Sequence, residues 1–132
     1  VTAPWDQQEA LAAYLTDREL VTLPDVPSVY SPPVRYVLPS DPWIAAGQSV
    51  GSWRFRFRVI CVVPKGDTRV QMNALAAMVR AVILALKGSP FVVDAEAVEQ
   101  PALMGEGRLG AAVNISTGMS RAAFESEEET TP

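Results

Sequence analysis

The sequence contains no histidine and only one cysteine, Cys61, in 132 residues. Without an imidazole there is no Ser/His/Asp or Cys/His set to activate a nucleophile. One thiol forms no internal disulfide, and with no histidine beside it a zinc site is hard to assemble. A reducing, intracellular setting is the simpler expectation. Long apolar runs are also missing. The longest, within residues 74–86, is broken by Arg80 and is too short to span a bilayer. No basic segment followed by an apolar stretch opens the chain, so no signal peptide is expected, and a start at Val1 fits a removed initiator methionine or a trimmed numbering. Positive charge is not in excess: 11 Lys and Arg stand against 15 Asp and Glu, a net charge of −4, which argues against a free-standing nucleic-acid binder.

What is present is 48% hydrophobic content, enough at this length for one core. The stretch from 53 to 88 organises it. Over residues 53–63, Trp53, Phe55, Phe57, Val59, Cys61 and Val63 alternate with Arg54, Arg56 and Arg58, and period-two alternation of this kind predicts a strand. Past Arg58 the second face becomes apolar through Ile60 and Val62, so that half is expected to be covered on both sides, the second face by neighbouring copies. A helix follows, capped by Asp67 or Thr68. Its stripe of Leu75, Met78, Val79, Val82, Ile83 and Leu86 recurs at spacings of three and four, and Gly88 ends it.

Residues 3–20 predict a first helix, with Thr2 as cap, Pro4 in the first turn and Leu11, Tyr14 and Leu15 as its apolar stripe. A connector runs over 19–29, and Pro32-Pro33 forms an extended approach. Residues 34–38 predict a short strand and 39–42 a turn, Trp43-Ile44 can resume pairing, and 45–52 is a loop. After the second helix, residues 91–98 predict a strand with Phe91, Val93, Ala95 and Ala97 on one face and Val92, Asp94, Glu96 and Val98 on the other. A loop over 100–106 precedes a last strand, in which Leu109, Ala111, Val113, Ile115 and Thr117 alternate with Ala112, Asn114 and Ser116. Residues 118–132 are rich in glutamate and poor in apolar side chains, a composition that stays disordered when free. The expected architecture is α+β: a mainly antiparallel sheet of four to five strands with two helices packed on one face, in one domain over 1–120, followed by an acidic tail over 121–132.

Reactive chemistry is scarce in this pattern. Asp94 and Glu96 share a strand face but read as solvated acids. Cys61 is expected to be buried and inert. Three readings fit Arg54, Arg56 and Arg58: a phosphate-tracking stripe with a repeat of about 7 Å, a patch meeting acids of another copy such as Asp94, Glu96 or the tail, or a solvated face with cross-strand pairs. Trp43 reads equally as a core residue or as an exposed anchor for a partner. Leu103 and Met104 form either a contact loop or a satellite cluster folded back on the sheet. Neither a cofactor nor a metal is expected.

Taken together, the short helix ending at Thr16-Asp17-Arg18-Glu19-Leu20, the approach through Val29-Tyr30 and Pro32-Pro33, the segment 34–44, the arginine/aromatic strand 53–63 and the alanine-rich helix after Gly66-Asp67 resemble the tail terminator proteins of long-tailed bacteriophages, the small forms of actinobacterial phages in particular. The resemblance spans roughly residues 5–120 and excludes the acidic tail. It implies a virion structural protein and not an enzyme, made in the host cytoplasm. Such a protein forms a hexameric ring that caps the head-proximal end of the tail tube, touches the tube protein and the head-closure protein, and lets DNA pass without specific binding. A head-closure or tail-tube-like neck protein is the nearer alternative, and a small-molecule-binding or enzymatic α+β domain the distant one. Subunit contacts are expected from Arg54, Arg56, Arg58, Trp43, Asp94, Glu96, Leu103 and Met104.

Overall fold

Residues Trp53–Val62 form strand β2, the second strand of an antiparallel sheet in the computed structural model, which describes residues 4–25, 33–46, 53–103 and 107–119. Helix α1, Pro4–Asp17, comes first, followed by strand β1, Val34–Ala46. Helix α2, Thr68–Ala85, then leads to β3, Phe91–Val98, β4, Ala102–Leu103, and β5, Leu109–Met119. The sheet order is β1-β2-β5-β3, with β4 also paired to β5, so the class is α+β. Leu23 adds a parallel bridge to Tyr36, within the span expected to be a plain connector.

One face of the sheet carries the core. Phe55, Phe57, Val59, Cys61 and Val63 of the β2 segment meet Val113 and Ile115 of β5, Leu11 and Leu15 of α1, and Leu75, Met78, Val79 and Val82 of α2. Both helices therefore bury their stripes on the same side, as alternation on the strand and 3.6-residue periodicity on the helices require. Trp53, expected on this face, sits at the strand's end and is partly exposed. Asp67 caps α2 by accepting from the Val70 N–H at 2.9 Å, and Gly88 follows the helix at φ +79°. Tyr14 links the helices, donating from its hydroxyl to the Ala85 carbonyl at 3.0 Å.

On the other face a small cluster of Tyr36, Ile60, Val62 and Ala112 forms within the chain. Ile60 and Val62 are buried there, which corrects the expectation that neighbouring copies would cover them. Two further corrections come from β-bulges. The expected turn at 39–42 is instead a break inside one strand: Pro39 pairs with Phe57 and Ile44 with Phe55, so the six residues 39–44 of β1 oppose the three residues 55–57 of β2. A second shift lies between Val93, paired with Ile115, and Val98, paired with Val113. The extra residues reset the alternation, so Val98 joins the helix-side face with Val113 and not the face of Asp94. The two-residue β4 lies in the stretch expected to be a loop. Thr2, residues 47–52, Met104, the Glu96 side chain and the tail over 121–132 lie outside the described residues.

Candidate interaction surface

The arginine face of β2 is placed by strand register. Arg54 pairs laterally with Gly118, Arg56 with Ser116 and Arg58 with Asn114, so the three share the sheet face opposite the core, and Arg56 and Arg58 reach across β5 toward β3. Arg56 reaches Asp94 of β3 at 3.3 Å, and Ser116 donates to the other carboxylate oxygen of Asp94 at 2.9 Å. Arg58 makes a two-pronged pair with Glu99, both contacts 2.8 Å. Geometry of this kind, two parallel N–H donors on one carboxylate, is the strongest form of the contact. Of the three readings of the stripe, these two arginines adopt the cross-strand one. Asp94 meets an arginine of its own chain. Glu99 is a partner that alternation did not single out, because it lies just past the end of β3. The Nε atoms of Arg54 and Arg35 are buried and have no hydrogen-bond partner among the described residues.

The apolar surface that remains is distributed differently from the expectation. Trp43 stands within the β1 bulge and is 41% exposed, so it is not a core residue. Leu103 on β4 is 70% exposed and does not fold back into a satellite cluster, and Val92 on β3 is 60% exposed. A groove of about 360 Å³ runs between α2 and the end of β3. Met72, Val79 and Leu84 form its helix wall, Val98 and Ala111 its floor, and Arg80 is its charged member. No sequence signal marked it: Met72 and Leu84 lie off the main stripe of α2, and Val98 enters only because of the bulge.

Polar chemistry inside the molecule is structural. Gln71 is buried and acts as a clasp: its amide nitrogen donates to the carbonyls of Gly66 at 2.9 Å and Gly107 at 3.2 Å, while its oxygen accepts from the Leu109 N–H at 2.8 Å. Gln8 likewise donates to the carbonyls of Pro24 and Val37, tying α1 to β1. Cys61 is fully enclosed. Burial pushes its thiol up from 9.0 to about 11, partly countered by the Arg35 guanidinium from the paired position on β1. A thiol held protonated is a poor nucleophile. No group of three or more Cys, Asp or Glu side chains converges as a metal site among the described residues, and no described helix is long and apolar enough to cross a membrane.

No protein-family model matches the chain, and no curated protein matches its sequence.

Proposed function

We propose that this protein is a virion structural subunit of the tail-terminator kind, which assembles with copies of itself into a ring at the head-proximal end of a phage tail tube. The observation that carries the reading is the distribution of apolar surface. A complete core lies on one sheet face, yet Met72, Leu84, Val92, Val98 and Leu103 remain outside it. Surplus apolar surface on a small domain marks contact with other proteins. The sequence resemblance supplies the identity of those contacts: the tube protein on one side and the head-closure protein on the other. An overall negative charge suits a ring through which DNA slides, since phosphates are repelled and not retained.

Native mass spectrometry of the full chain over roughly 1 to 100 µM, alone and with isolated tail tubes, tests the reading. The expected result is a hexameric species, or a single subunit that assembles only at tube ends seen by electron microscopy. A chain that stays single and leaves tube ends bare, or a stable dimer with catalytic turnover, refutes it.

A further inference from the structure

We infer that the groove beside α2 receives the C-terminal segment of a second copy of this chain, anchored by Phe124. The inference rests on the self-assembly proposed above and names what fills one of its contacts.

Charge complementarity is the first argument. Helix α2 carries Arg69 and Arg80 and no acidic residue, although the whole chain is acidic, and Arg80 stands in the groove itself. The segment 120–132 holds four glutamates, Glu125, Glu127, Glu128 and Glu129, against one arginine, Arg121. That segment has one large apolar side chain, Phe124, directly before the glutamates and after Ala122-Ala123. An apolar anchor followed by acids matches an apolar groove with a cation on its wall. A groove of about 360 Å³ also falls at the small end of the roughly 300–1,000 Å³ in which clefts seat ligands, a size suited to one aromatic anchor.

Reach decides which copy supplies the segment. Strand β5 ends at Met119, and Phe124 is five residues further, at most about 18 Å of extended chain. The groove floor lies back along the same strand. Val98 is level with Val113, about 20 Å from Met119, and Ala111 is about 27 Å away. With about 6 Å of side chain added, a chain's own Phe124 meets the level of Val98 only at full stretch and does not reach Ala111, while that of a neighbour, approaching from the open side, has no such limit.

The test uses the full chain with a benzophenone amino acid in place of Phe124, mixing ordinary and heavy-isotope copies before irradiation. Cross-links from position 124 of one isotope to α2 or to residues 98–101 of the other are expected. Cross-links confined to a single isotope, or to peptides elsewhere, overturn the inference. In parallel, Phe124→Ala weakens association at least about tenfold, the loss typical of a truncated aromatic anchor. The exposed Arg80→Glu weakens it by roughly threefold, as for a rim charge, with an unchanged melting curve. Unaltered association in Phe124→Ala refutes the docking. If the unsubstituted chain never associates, the proposed function falls with it. If it associates normally but position 124 cross-links elsewhere, this inference alone falls.

Discussion

Glu19 holds a left-handed backbone conformation, φ +67°, at the end of α1. The Leu20 N–H closes onto the Leu15 carbonyl at 3.0 Å and the Glu19 N–H onto Thr16 at 3.0 Å, a pattern in which glycine is the usual occupant. A side chain there costs about 1–2 kcal/mol, against which glycine's added freedom in the unfolded chain offsets roughly 0.4–1 kcal/mol. Glu19→Gly is therefore expected to stabilise the fold by about 0.5–1 kcal/mol, read as a rise of a few degrees in thermal melting. Cys61 makes a second prediction at this scale. Its thiol titrates near 11 in the folded chain and near 9.0 unfolded, so between those values the folded state binds more protons and stability falls as pH rises. The loss is on the order of 2–3 kcal/mol. Cys61→Val should remove that part of the alkaline decline in urea titrations, and native Cys61 should react with a thiol reagent only as fast as the protein unfolds. Cys61's burial was legible from its place among aromatic neighbours. The roles of Glu19, Gln8 and Gln71 were not, because a polar side chain's partners are set by which loops the fold brings near it.

At the scale of elements, both helices, the cap at Asp67 and the stop at Gly88 follow from local chemistry, and the structure has them close to where periodicity put them. The strands were legible by alternation, but the two bulges were not, since a bulge is a mismatch between partners and strand order is invisible in one sequence. That is why alternation puts Val98 on the wrong face; Glu99 is missed because it lies just past the end of β3. The outer face of the sheet yields a ranking. Asp94 accepts from both Arg56 and Ser116 and is mostly enclosed, whereas the Arg58–Glu99 pair is more than a third exposed on the acid side. Asp94→Ala, which strips two donors of their acceptor, is expected to cost about 1–3 kcal/mol. Glu99→Ala should cost under about 1 kcal/mol, because solvent screens what it removes. Chemical denaturation of the two variants checks the order, and equal costs would contradict it. The Gln71 clasp belongs here too. Gln71→Leu leaves the Leu109 N–H without its acceptor, at a cost of about 1–3 kcal/mol. Hydrogen exchange should speed first at that amide, where α2 is tied to the start of β5.

Over the whole molecule, the pairing of Arg56 and Arg58 within the chain changes what must drive association. Sequence patterning made an arginine stripe against acids of another copy as natural a contact as any, and that contact would be strongly salt-dependent. With Asp94 and Glu99 already engaged, the apolar surface open to other copies among the described residues is the α2 groove, Trp43, Val92 and Leu103. Apolar burial is insensitive to modest salt, while a single exposed charge such as Arg80 contributes about 1 kcal/mol at most. The association constant is therefore expected to change by less than about tenfold when salt rises from roughly 0.1 to 0.5 M. Leu84→Asp, a substitution of an exposed groove residue that leaves the core untouched, should lower it by more than that, since it sets an unpaired charge in the contact. Sedimentation velocity at both salt concentrations, on both chains, separates the possibilities. Association that collapses in 0.5 M salt yet tolerates Leu84→Asp would return the arginine face to the centre of the assembly and remove the groove from it.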